Sequence, residues 1–159
     1  MTTTVRFINK EDSWPLREKI LRPGRPADES RFACDENPLT FHVGVFVNQN
    51  LMTVSTFAPE APPQSLLALS EEFLEESLNA YRLRGMATDM NFQGQGAGAK
   101  AIAFAEVELQ RRHCQMLWFN AREGAFTFYE KLGFQYHGEM FELPHIGPHK
   151  VMYKLLKSR

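Results

Sequence analysis

A chain of 159 residues, 43% apolar, has the length of one ordinary domain and enough hydrophobic content to fill a core. Its 18 basic and 19 acidic residues leave a formal charge of −1, which argues against a nucleic-acid polyanion or an anionic membrane as main partner. The opening MTTTVRFINKEDSW has no basic-then-apolar leader pattern and no apolar run nears a bilayer-spanning length, so a cytoplasmic protein is expected.

Thr3 to Ile8 reads as a short strand, and Asp12 as the cap of a helix through Trp14, Leu16, Ile20 and Leu21. Arg22 to Leu39 is crowded with Pro, Gly and acidic residues and predicts an irregular loop or a broken short helix. Thr40 to Val47 alternates, with Phe41, Val43, Val45 and Val47 on one face. Asn48-Gln49-Asn50 then offers turn chemistry before Leu51 to Phe57, which together predict an antiparallel hairpin. After the break at APEAPPQ, Ser65 to Asn79 suits either a short helix turning Leu66, Leu69 and Phe73 inward or an acidic solvated loop. Tyr81 to Thr88 returns to strand character, with Leu83, Gly85 and Ala87 opposite Arg82, Arg84 and Met86.

Three glycines at alternate positions follow in FQGQGAGA, residues 92–99, and residues 98–112 then set Gly98, Ile102, Ala105 and Leu109 along one helical face. Gln115 to Asn120 is nearly all apolar, as a strand covered on both faces requires. Glu123 to Leu132 predicts a helix with Ala125, Phe128, Tyr129 and Leu132 on one side, ended by Gly133 in a left-handed cap. Phe134 to Leu143 and Val151 to Leu156 close the chain as two strands around the turn-rich PHIGPHK. The order of elements predicts an α/β protein, a mixed sheet with helices on its faces, in a single domain over 1–159.

A glycine loop between a strand and a helix frees backbone N–H groups to converge, and the helix terminus adds partial positive charge, which suits a phosphate or pyrophosphate. Two common nucleotide loops do not fit. No Gly-Lys-Ser/Thr exists for a P-loop, and Gly94-x-Gly96-x-Gly98 lacks both the spacing and the downstream acid of the dinucleotide fingerprint. Cys34 and Cys114 lack C-x-x-C spacing and fit a reducing compartment. His145 and His149 stand in a Pro/Gly turn without cysteine or H-E-x-x-H partners, so no metal site is expected.

Gln93-x-x-Gly96-x-Gly98, placed after the strand YRLRGMAT, matches a [QR]-x-x-G-x-[GA] pyrophosphate loop. Downstream, LWFNAREGAFTFYEKLGF at 117–134 supplies Asn120, Ala125, Phe128, Tyr129, Lys131, Gly133 and Phe134 in a segment of the form N-x-x-A-x-x-F-Y-x-K-x-G-F, with Ala125 two positions later than in its shortest versions. On these two motifs the chain resembles the GNAT-type N-acetyltransferase family. The resemblance implies a mostly antiparallel central sheet, flanked by helices, whose parallel strands 4 and 5 splay apart. It also implies acetyl-CoA (acetyl-coenzyme A) as co-substrate and an N-acetyltransferase acting on an amine of a small molecule or peptide.

By the same resemblance, Met86, Ala87 and Thr88 would offer main-chain groups to the pantetheine arm, with the Ala87 N–H as oxyanion donor. Gln93, Gly94, Gln95, Gly96, Ala97 and Gly98 would cradle the pyrophosphate. Asn120 would hydrogen-bond the cofactor arm, Phe128 would border it, and Tyr129 would be the general acid, a phenol near its ordinary pKa of about 10 facing a thiolate of about 8 to 9. The strand Tyr81 to Gly85 has no carboxylate where relatives often carry a base, so His42, Glu72, Glu75, Glu139, Glu142, His145 and His149 all stay open for that role. The amine is undetermined: Arg22, Arg25 and Arg31 suit an acidic acceptor, whereas Asp28, Glu29, Asp35 and Glu36 suit a cationic one. A cofactor-binding or sensing domain without turnover is the alternative, and an interaction protein that binds no cofactor a third reading. An exposed final hairpin would offer an edge for a homodimer.

Overall fold

The computed structural model describes residues 2–69, 71 and 78–157. Seven strands form one sheet in the order β1-β2-β3-β4-β5-β7-β6. The residues group into two compact units, Met1–Pro59 with Leu83–Leu109 and Glu60–Arg82 with Gln110–Arg159; β4 (Ala80–Thr88) belongs partly to each.

In the first unit, β1 (Thr3–Ile8) pairs antiparallel with β2 (Phe41–Val47), and β2 with β3 (Asn50–Pro59). Asn48 and Gln49 turn the hairpin with φ of 49° and 71°, the left-handed pair that matches the twist of the flanking strands. β2 is buried along its whole length, so its alternation separates two covered faces. On one, Leu16 packs with Val54 and Ala87; on the other, Phe7 meets Phe41 and Phe104 edge-on.

Helix α1 (Lys10–Leu16) is entered from Asn9 rather than capped by Asp12. Asp12 sits three residues inside, where its carboxylate accepts the Asn9 N–H at 3.0 Å. Pro15 lies within the helix and withholds an N–H, and the chain widens after it into a π turn, Arg17–Leu21, closed by the Arg22 N–H on the Arg17 carbonyl. The expected irregular stretch contains two 3-10 turns, Ala27–Ser30 and Ala33–Glu36. Helix α3 (Ala97–Arg111) buries Ala97, Ala101, Ile102, Ala105 and Leu109, while Gly98 is only half-buried.

In the second unit, the start of β4 runs parallel to β5 (Met116–Arg122) through Ala80↔Met116, Tyr81↔Leu117 and Arg82↔Trp118. β7 (Gly147–Leu155) pairs antiparallel with β5, and β6 (Gln135–Leu143) with β7. The short helix α2 (Gln64–Leu67) drops Leu66 into a cluster with Ala80, Met116, Trp118 and Val151. Leu69 is 60% exposed, because the helix ends before it, and not inward as its spacing suggested. Phe73, Glu72 and Glu75 lie outside the described residues.

The expected helix at 123–132 is a 3-10 turn, Glu123–Ala125, followed by α4 (Phe126–Lys131). Gly133, with φ of 95°, ends it as predicted: the Phe134 N–H bonds the Tyr129 carbonyl and the Gly133 N–H that of Glu130. The turn after β6 is shorter than its composition suggested, so β7 begins at Gly147 and not Val151. No described helix is long and apolar enough to cross a membrane.

Candidate active site

The glycine loop belongs to the first unit. β4 runs into it through Thr88, and the Asp89 carboxylate caps the 3-10 turn Met90–Phe92 by accepting the Asn91 N–H at 3.0 Å. Gln93 donates its side-chain amide to the Thr88 carbonyl at 3.2 Å, and Gln95 to the Asn91 carbonyl at 3.4 Å. Both glutamines thus tie the loop to its own backbone. Gly94 and Gly96 have φ of 78° and 82°, a conformation side chains disfavour, and an added Cβ at either would meet nothing within 4 Å. Their role is conformational: they turn the chain into α3. There the first bond is from Lys100 N–H to Gly96 C=O at 3.1 Å, so the N–H groups of Ala97, Gly98 and Ala99 have no acceptor within the helix.

Upstream, Gly85 interrupts β4 with φ of 61°. Met86 and Thr88 are half-buried and Ala87 buried, with the Thr88 hydroxyl 3.0 Å from that of Thr53.

Asn120 and Tyr129 belong to the second unit. Asn120 is half-buried, opposite Val151 in the β5–β7 ladder, and its side chain has no hydrogen-bond partner among the described residues. Tyr129 projects from α4 onto Phe119, with ring centroids 4.3 Å apart, and is bordered by Phe128 and Phe134. Its hydroxyl likewise has no partner among the described residues. The phenol departs from the ordinary value expected for it: burial pushes it up to about 12, with the positive charge of Arg122 pulling weakly the other way.

The base candidates separate by environment. Glu139, Glu142 and His145 are exposed. His42 is buried, with Nδ1 2.8 Å from the Thr56 hydroxyl, and burial pushes its imidazole below the usual value. His149 is buried, with Nδ1 2.8 Å from the Gly147 carbonyl. Among the described residues no His, Cys, Asp and Glu side chains gather to hold a metal ion.

Sequence reasoning missed a buried ionic centre in the first unit. Arg17, without exposed surface, donates to both carboxylate oxygens of Asp35 at 2.7 and 2.9 Å, to the Ser30 carbonyl at 2.9 Å and to the Thr56 hydroxyl at 2.5 Å. Asp35 also accepts from the Trp14 indole and the Phe32 N–H. Burial alone would raise the Asp35 carboxyl, but the hydrogen bond and charge of Arg17 hold it below the usual carboxylate value. Pro15 just before Arg17 was the available signal, since it forces the turn that carries Arg17 inward.

A mixed sheet whose β4 and β5 run parallel while the other pairs are antiparallel is a fold of acyltransferases. The chain belongs to the Acetyltransferase (GNAT) family, which matches residues 10–134 and whose members use acyl-coenzyme A. It is 37% identical, over 97% of each chain, to the uncharacterized N-acetyltransferase YitI of Bacillus subtilis (strain 168). In structure it is similar to FeeM, an N-acyl amino acid synthase from uncultured soil microbes, with a TM-score of 0.79, 17% identity and coverage of 98% of this chain and 91% of that one. An aminoglycoside 6'-N-acetyltransferase complexed with coenzyme A aligns with a TM-score of 0.69, 15% identity and 98% coverage of both chains. At these identities the two structures speak for the fold alone.

Proposed function

We propose that this protein transfers an acetyl group from acetyl-CoA directly to a primary amine of a small molecule or peptide, with Tyr129 as general acid. The bound co-substrate supplies a thioester carbonyl open to attack. The loop Gln93–Gly96 and the free N–H groups of Ala97–Ala99 would receive its pyrophosphate, with the positive end of α3 adding to the attraction. The main chain of Met86–Thr88 would meet the pantetheine arm, the Ala87 N–H would face the carbonyl oxygen as it gains charge, and Asn120 and Phe128 would flank the arm. As the carbon–sulfur bond breaks, the Tyr129 proton would pass to the sulfur.

Turnover, as against mere binding, is supported by one observation: the Tyr129 ring packs among Phe119, Phe128 and Phe134 while its hydroxyl has no partner among the described residues. A hydroxyl that the fold leaves unpaired is open to a ligand in contact with it. A phenol pushed to about 12 also keeps its proton at every working pH, so the proton is present when the thiolate forms. The alternative, an acyl-CoA-binding or sensing domain without turnover, is favoured by the absence of any carboxylate in Tyr81–Gly85. Free-thiol release from acetyl-CoA with a panel of amines separates the two. Tyr129→Phe should lower kcat about a hundredfold while leaving the coenzyme A Kd unchanged. Binding without thiol release above hydrolysis, and no loss in Tyr129→Phe, would overturn the enzymatic role of Tyr129.

A further inference from the structure

We infer that His149 is the general base of this reaction, a step that rests on the transfer proposed above. The geometry begins with its tautomer. Nδ1 lies 2.8 Å from the Gly147 carbonyl, and a carbonyl oxygen only accepts, so Nδ1 carries the proton. In the neutral ring the lone pair is therefore on Nε2, which has no partner among the described residues. A ring 3% exposed, stacked on Phe141 at 6.0 Å and pinned through Nδ1, is held in one orientation with its basic nitrogen unused.

His42 offers the contrast. Its Nδ1 faces the Thr56 hydroxyl, which can either donate or accept, so its tautomer is not fixed by its partner. Among the candidates with described side chains, His149 alone is both buried and left with a fixed, free lone pair.

Its place in the sheet suits the role. His149 is in register with Arg122 of β5 and Phe141 of β6, and shares a face with Val151 and Asn120. Phe119 and Met152, three positions from Arg122 and His149, point to the other face, where Tyr129 packs on Phe119. Tyr129 would therefore reach the reacting carbonyl from one face of this pair of strands and His149 from the other. Of the charged residues in register here, Arg122 lies opposite His149 on β5, while Glu142 of β6, opposite Pro148, and Lys150, over the Tyr136 ring, turn to the other face.

The step balances as follows. The amine nitrogen forms a bond to the acetyl carbon and gives its proton to His149 Nε2, while the carbon–sulfur bond breaks and the thiolate takes the Tyr129 proton. The products are an acetamide and free coenzyme A; solvent returns the proton from His149 to Tyr129.

Steady-state kinetics of His149→Gln, with coenzyme A titration alongside, test this. Gln keeps a donor for the Gly147 carbonyl but has no basic nitrogen. Expected are a fall in kcat of about a hundredfold and an unchanged coenzyme A Kd. Added imidazole should restore part of the rate to His149→Ala. As a readout independent of any variant, nitrogen NMR of the histidine-labelled wild type should show His149 protonated at Nδ1. A variant with the wild-type rate, or a wild-type ring protonated at Nε2, overturns the assignment of the base alone. A wild type that binds coenzyme A but acetylates no amine overturns the underlying transfer.

Discussion

The two units use their polar groups differently. In the first, Arg17 and Asp35 are 0% and 1% exposed at their side chains and are spent on each other, on Ser30, Thr56, Trp14 and Phe32, with His42 joined through Thr56. In the second, Asn120, the Tyr129 hydroxyl and Nε2 of His149 are covered or half-covered yet lack partners among the described residues. Charge and burial alone would have pointed to the first centre, since a desolvated ion pair is the more conspicuous feature. Accessibility decides otherwise: Arg17 Nε and Ser30 Oγ are also left unpaired but are fully buried, whereas Asn120 and Tyr129 are only half-buried, so their unpaired groups can meet a ligand.

That contrast can be broken most severely at Asp35. Asp35→Ala leaves the Arg17 guanidinium buried without its carboxylate and should cost about 3–5 kcal/mol in chemical denaturation. The same pair sets an acid limit. Because the folded Asp35 carboxyl is held below its usual value, its contribution is present above the unfolded carboxylate pKa of about 3.9 and fades as pH falls through the lower folded value. Wild type should therefore lose stability below that point, a dependence that Asp35→Ala should flatten.

A smaller effect, of the opposite kind, is expected at Gly96. Gly96→Ala puts a side chain at φ of 82°, costing about 1–2 kcal/mol wherever the loop keeps its conformation, and should weaken coenzyme A binding several-fold in calorimetric titration. Asn120→Ala should be the mildest. It removes an amide that the fold does not use, so the denaturation midpoint should hold while KM for acetyl-CoA rises by about 1 kcal/mol equivalent. If Asn120→Ala instead unfolded the protein and left KM alone, the division between consumed and spare polar groups would fail.

The sequence carried what local chemistry decides. β1 has the expected bounds, the hairpin turns at Asn48-Gln49, and Gly133 ends α4 because the positive φ there needs glycine. The two motifs were legible because each is short and contiguous and its glycines declare its backbone conformation. What stayed hidden depends on contacts far apart in the chain. Arg17 and Asp35 are 18 residues apart, and each reads alone as an ordinary surface charge. Leu69 fits a helical stripe that the structure ends at Leu67. The phenol of Tyr129 has an ordinary pKa until Phe119, Phe128 and Phe134 surround it, and the tautomer of His149 is set by a turn carbonyl that composition does not announce.

Gly85 has a consequence for redesign. A β-carbon there would lie 2.7 Å from the Phe32 ring and 3.0 Å from Arg17 Nε, so the residue is confined by its neighbours as well as by its own backbone. Saturation mutagenesis at 85 alone should return glycine almost exclusively. Libraries that vary positions 32 and 85 together should recover alanine or serine at 85 once the ring at 32 is cut back. Any change to residues 27–36 that moves Phe32 therefore changes which backbone the strand entering the glycine loop can adopt.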